Sequence, residues 1–170
     1  VSPTKIGDPY QCAYTIRNIL DEAEDTLTIN GLNDVVHSAG GDVASGNILP
    51  ATGLVFSGAV TCSGGSGAGT VANPYIGATS CVLPFGTAIQ TKAFSHYTVR
   101  AADFNIDPAT HKLTDAATVN WNNECVVDPD LDCTKLPQVA SAGASAVIEK
   151  LASSTATDIH NAAHQTVTAV

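Results

Sequence analysis

Cys12-Ala13-Tyr14-Thr15-Ile16-Arg17-Asn18 is the stretch that decides the fold. Tyr14 and Ile16 alternate with Thr15 and Arg17, and β-branched and aromatic residues fill the run. A period of two marks a half-buried strand, because successive side chains point to opposite faces of a sheet. A second run of the same kind, Asp25-Thr26-Leu27-Thr28-Ile29-Asn30, follows an acidic break at 21–25. The two runs predict the opening hairpin of a β-sandwich.

The rest of the chain repeats this grammar. Pro3, Pro9 and the turn signal Gly7-Asp8-Pro9 keep the first ten residues from regular helix. Asn30-Gly31 is a strong turn dipeptide, so the second strand is expected to end there and Leu32–His37 to form a separate short strand. Ser38–Gly46 reads as a Gly-rich loop, and Leu54–Cys62 as a strand. Ser63–Gly69 (Ser-Gly-Gly-Ser-Gly-Ala-Gly) reads as a flexible hairpin tip, since it lacks the Lys and the spacing of a phosphate loop. Further strands are expected at Ala78–Leu83, Thr87–Thr91, Ala93–Val99, Lys112–Trp121 and Gln138–Ile148. The last of these is Ala-rich and has some helical propensity, which its sheet-rich context outweighs.

At Leu151–Thr157 the composition shifts to a Ser/Thr linker. Two short apolar strands follow around Asn161-Ala162-Ala163-His164. A lone hairpin is marginal in water, so this tail must pair with something. The expected division is a β-sandwich over residues 1–150 and a linker with a strand extension over 151–170. Thr157, Ile159, Val167 and Val170 are the residues expected to build an inter-subunit strand. The chain opens on Val and contains no Met, which points to a mature product or an excerpt of a longer polypeptide.

Composition narrows the function. Only 14% of residues are charged, and the net charge is −9 with Lys and Arg totalling 7. An average domain is roughly 25% charged. A nucleic-acid partner is excluded on charge, as there is no basic stripe. No apolar run approaches the ~20 residues of a membrane span. Low charge and abundant Thr suit secreted or cell-surface β proteins, and five cysteines point to an oxidising compartment.

Cys62 and Cys81 flank the Gly-rich segment, where a bridge would stabilise by roughly 3 kcal/mol through loop closure, and Cys125 and Cys133 bracket an acidic loop; both pairs are expected disulfides. Cys12 is left over, either as a buried thiol or as an inter-subunit bridge. Asp103, Asn105 and Asp107, and likewise Asp128, Asp130 and Asp132, alternate oxygen ligands as calcium loops do, but each set lacks the Gly and distal Glu of an EF-hand. These are the weak calcium candidates; otherwise no metal or cofactor is assigned. His160 and His164 are spaced for a metal only on a helix, and their surroundings predict a hairpin. Lys5 offers an isopeptide donor with no motif to identify its partner. No Ser–His–Asp arrangement is readable, so no catalytic residue is expected and the chain reads as a non-enzyme.

Cys12-Ala-Tyr14-Thr15-Ile16-x-Asn18 with Asp25-Thr26-Leu27-Thr28-Ile29, Cys81-x-Leu83-Pro84-x-Gly86, and Leu113-Thr114-Asp115-x-Ala117-Thr118-Val119-x-Trp121 resemble the Ig-like conserved-repeat domains of large bacterial surface proteins. Thr157-Asp158-Ile159-His160-Asn161-Ala162-Ala163-His164-x-x-Val167-Thr168 looks like the first hairpin of a further repeat. The likeness covers most of the chain through short motifs. It implies an Ig-like antiparallel β-sandwich in an extracellular fibre, with itself or adjacent repeats as partner through strand complementation. The alternative is an adhesin module that holds a host or matrix ligand on loops Ser38–Gly46 and Ser63–Pro74. A Cys12–Cys125 pair beside Trp121 would look like the inter-sheet bridge of Ig domains.

Overall fold

A computed structural model of the chain describes residues 6–19, 26–109, 112–123, 138–150, 157–159 and 163–169. It is an all-β sandwich of two sheets. The first contains β1 (Pro9–Asn18), β4 (Leu54–Ser57), β7 (Ala88–Thr91), β8 (Phe94–Thr98) and β12 (Ala163–Ala169), in the order β12-β1-β7-β4 with β8 also on β1. The second contains β2 (Thr26–Ser38), β3 (Gly41–Asn47), β5 (Thr61–Ser63), β6 (Ser80–Pro84), β9 (Lys112–Asn123), β10 (Gln138–Lys150) and β11 (Thr157–Ile159). Its order is β11-β10-β9-β2-β6-β5, with β3 also on β2. Ala101–Asn105 form a short 3-10 turn.

The two opening strands are therefore no hairpin. β1 and β2 lie in opposite sheets, and their buried residues face each other across the core. Tyr10, Cys12, Tyr14, Ile16 and Asn18 point inward from β1, while Gln11 and Arg17 face solvent. Two strands with one apolar face each bury more by stacking face to face than by pairing edge to edge. Asn18 fastens the arrangement, donating from Nδ2 to the carbonyl of Leu83 on β6 at 2.8 Å.

Asn30-Gly31 also departs from expectation. The chain does not turn there; β2 runs through as one strand of 13 residues. The dipeptide is a bulge, placed between the pairs Ile29↔Trp121 and Gly31↔Asn120. A bulge absorbs one residue and shifts the inward phase. Leu27 and Ile29 point inward before it, and Leu32, Asp34 and Val36 point inward after it. That phase change places Asp34 in the core.

Three further corrections follow from pairing. Ser38–Gly46 is no open loop: β2 turns at Ala39–Gly40, where Gly41 has φ +106°, and returns as β3. Leu54–Cys62 is two strands, with β4 on β7 in the first sheet and β5 on β6 in the second. Gly58, at φ +92°, lets the chain change sheets between them. Ser63–Gly69 is a packed strap and no flexible tip. Ser66 pairs with Ile76, and a Cβ on Gly67 would sit 2.2 Å from the Pro74 carbonyl oxygen. These glycines are there for close backbone approach.

The tail strands separate rather than forming a hairpin. β11 adds to β10 in antiparallel sense, and β12 adds to the open side of β1 in parallel sense, from Cys12↔Ala163 to Asn18↔Ala169. Among the described residues all other strand pairs are antiparallel. Among the described residues no helix is long and apolar enough to cross a membrane.

Candidate functional site

Apart from Asn18 at the end of β1, the polar side chains on the inward faces of β1, β2 and β9 gather at one place. β1 contributes Tyr10, Cys12 and Tyr14, β2 contributes Asp34 and β9 contributes Asp115. Asp34 is 1% exposed and Asp115 3%. On the paired strands Asp34 lies opposite Ala117, and Val36 opposite Asp115. The two carboxylates are thus diagonal neighbours on one sheet face, within reach of each other. Cys12 meets them from the other sheet.

The hydrogen bonds divide the cluster into two halves. Asp115 is an acceptor: the Tyr10 hydroxyl donates to Oδ1 at 3.3 Å, and the Cys12 thiol donates to Oδ2 at 2.8 Å. Asp34 faces His96 of β8, whose Nδ1 lies 3.3 Å from Oδ2. His96 Nε2 lies 3.1 Å from the Val43 carbonyl oxygen and must be the donor there, because a carbonyl only accepts. Nδ1 is thereby turned toward Asp34 Oδ2. Tyr14 stands near Asp34 and Cys12 and influences both, yet its hydroxyl and Asp34 Oδ1 have no hydrogen-bond partner of ordinary geometry.

Burial sets the protonation. Desolvation raises the Asp34 carboxyl above the ordinary carboxylate range and nearby Asp115 adds to this, whereas Tyr14 and His96 oppose it. Desolvation, followed by the field of Asp115, pushes the Cys12 thiol far up. The same two causes raise Tyr10, and desolvation leads for Tyr14. The thiol is a proton donor in this state and no nucleophile.

Cys62 and Cys81 form a disulfide across β5 and β6. Cys12 is a free, buried thiol at 1% exposure, which places it out of reach of an inter-subunit bridge as the chain is folded. Cys125, Cys133, Asp128, Asp130, Asp132, Lys5, His160 and Val170 lie outside the described residues. The Asp103–Asn105–Asp107 set does not assemble. Asp103 is turned into the protein, where both carboxylate oxygens are taken by the amides of Ala39 and Arg100 and the Tyr97 hydroxyl, at 2.7–3.0 Å. Asp107 Oδ1 accepts from the Ala109 amide, and Asn105 is exposed. Of the tail residues, Thr157 and Ile159 fall in β11 and Val167 in β12, where it is the partner of Ile16.

Sequence reasoning missed Asp34, Asp115, Tyr10, Tyr14 and His96 as a group. The signal was present at two positions: Asp34 stands between Leu32 and Val36, and Asp115 between Leu113 and Ala117, both in inward phase. A carboxylate in the apolar phase of a strand is a buried acid that needs a partner. No family model, curated protein or solved structure matches the chain.

Proposed function

We propose that the chain is a structural module or subunit of an extracellular or cell-surface filament, joined to its neighbours by strand complementation. One observation carries this. The open side of β1 is completed by β12, a strand from the far end of the chain, over seven residue pairs from Cys12↔Ala163 to Asn18↔Ala169. Sequence neighbours cannot supply a parallel partner by a tight turn. A strand delivered through a long connection satisfies the same backbone groups whether it comes from its own chain or from an identical one. Exchange therefore needs no new interface, and head-to-tail exchange of this kind builds open polymers.

Other features support it. Cys62–Cys81 is a disulfide, which suits an oxidising compartment and so a secreted protein. The sandwich supplies a stiff body, as the repeats of the resembled surface proteins do. The partner is then a second copy, or an adjacent repeat of the same polypeptide.

The test is removal of residues 157–170, followed by negative-stain microscopy and sizing across a concentration series. The full chain is expected to give filaments or ladders that grow with concentration. The truncated chain is expected to stay monomeric and to bind a peptide of residues 157–170 added in trans. Normal assembly of the truncated chain would overturn the proposal.

A further inference from the structure

We propose that Cys12, Asp34 and Asp115 form a buried binding site for one divalent transition-metal ion of zinc-like chemistry, with the Tyr14 hydroxyl completing its surroundings. The ligand atoms of these three residues all lie within 4.8 Å of one another, and all three residues are buried. On one ion, with bonds of about 2.0–2.3 Å, ligand atoms sit roughly 3.3–3.8 Å apart. Small inward side-chain movements therefore close the set.

Three acids facing one another prove little alone, since buried protons can neutralise them. The second observation is the pair of unsatisfied groups. Tyr14 is 0% exposed and its hydroxyl stands against Asp34 and Cys12, yet neither that hydroxyl nor Asp34 Oδ1 makes a hydrogen bond of ordinary geometry. A buried polar atom without a full hydrogen bond costs about 1–3 kcal/mol, so a species that both groups can contact is favoured beside them. A cation accepted by Asp34 Oδ1, with the Tyr14 oxygen beside it, satisfies both.

The donor set selects the ion. One thiolate sulfur with two carboxylates disfavours calcium and magnesium, which take oxygen ligands, and suits zinc or cobalt(II). Binding replaces the proton that the Cys12 thiol shares with Asp115; that proton leaves to solvent, and the sulfur electron pair goes to the metal. The ligands come from β1 on one sheet and β2 and β9 on the other, so an ion there pins the sandwich across its core. Nothing in this depends on filament assembly.

The experiment refolds the full chain, with its disulfide intact, in the presence of one equivalent of cobalt(II), in a Cys125→Ala/Cys133→Ala background. Cys12 is then the only cysteine outside the Cys62–Cys81 bridge. The expected result is one cobalt per chain, a near-ultraviolet thiolate-to-cobalt charge-transfer band, its displacement by zinc, and a melting temperature that rises with metal and falls back on chelation. Asp34→Asn is expected to weaken binding at least tenfold, while Tyr14→Phe keeps the band. Refolded protein that holds no stoichiometric metal would overturn the proposal. So would bound cobalt without the thiolate band, which would place the ion elsewhere. These spectral readouts on the parent background decide the matter even if a ligand variant fails to fold.

Discussion

The Cys12 thiol on β1 donates to Asp115 Oδ2 on β9 at 2.8 Å, across the space between the two sheets. Tyr10 reaches the other oxygen of the same carboxylate at 3.3 Å. Asp115 thus serves two buried donors at once. Asp115→Ala strands both and is expected to lower unfolding stability by about 2–4 kcal/mol. Cys12→Ala removes one donor and a small apolar volume, and is expected to cost about 1–2 kcal/mol. Guanidinium unfolding of the metal-free proteins checks the order; equal costs would mean that Asp115 is not shared.

Asp34 gives the chain a pH signature. Its folded carboxyl has a raised proton affinity, so the native state binds more protons than the unfolded state and stability falls as pH rises. The contribution is fully present below the ordinary carboxylate value of about 4 and is lost as pH climbs through the raised folded value. Asp34→Asn keeps a neutral group there and should flatten this part of the stability profile. Cys12 has the same sign at higher pH: its contribution declines above about 8.5, the ordinary thiol value, and Cys12→Ala should reduce that alkaline loss. Denaturation midpoints measured from pH 4 to 10 in chelator test both; parallel profiles for parent and variants would contradict them.

The sandwich itself was legible because its strands obey period two. Tyr14 and Ile16 face in, and so do Leu113, Ala117, Val119 and Trp121. Pairing was less legible, because alternation tells which face is buried and nothing about which strand lies alongside. Hence β1 and β2 read as a hairpin although they stack across the core. Asn30-Gly31 misled for a related reason: the dipeptide that favours a tight turn also tolerates a bulge, and only the phase change from Ile29 to Leu32 distinguishes them. The polar cluster needed both pieces. Asp34 enters the core only because of that bulge, and it meets Cys12 only because the strands lie in opposite sheets.

Gly67 and Gly46 separate two roles of glycine. Both have positive φ, +131° and +70°, but a Cβ on Gly67 would lie 2.2 Å from the Pro74 oxygen, whereas one on Gly46 meets nothing within 4 Å. Gly46→Ala should cost about 1 kcal/mol, from backbone strain alone. Gly67→Ala should cost about 3 kcal/mol or more, because the strap at Ser63–Gly69 must move away from Pro74. Similar costs at the two sites would restore the flexible-tip reading of that segment.

The Cys62–Cys81 bridge closes a loop of sequence separation 19. Replacing both with Ala should lower stability by about 3 kcal/mol on loop-closure entropy and leave the m-value larger, as the unfolded chain expands. An unchanged denaturation midpoint would show that the packed glycine strap holds this region without the bridge.

β12 sits on β1, and the proposed filament requires it to do so between chains. Arg17 faces solvent on β1, and its partner in register is Thr168. Neighbouring positions on adjacent strands are close enough for a disulfide once both are cysteine. The direct measurement is oxidation of an Arg17→Cys/Thr168→Cys chain over a range of concentrations, run on non-reducing gels beside each single variant. The expected result is a ladder of covalent multimers that lengthens with concentration, with intramolecular monomer prevailing when dilute, and neither in the single variants. A product that stays wholly monomeric at the highest concentration would contradict strand exchange. No cross-link at any concentration would contradict the pairing itself.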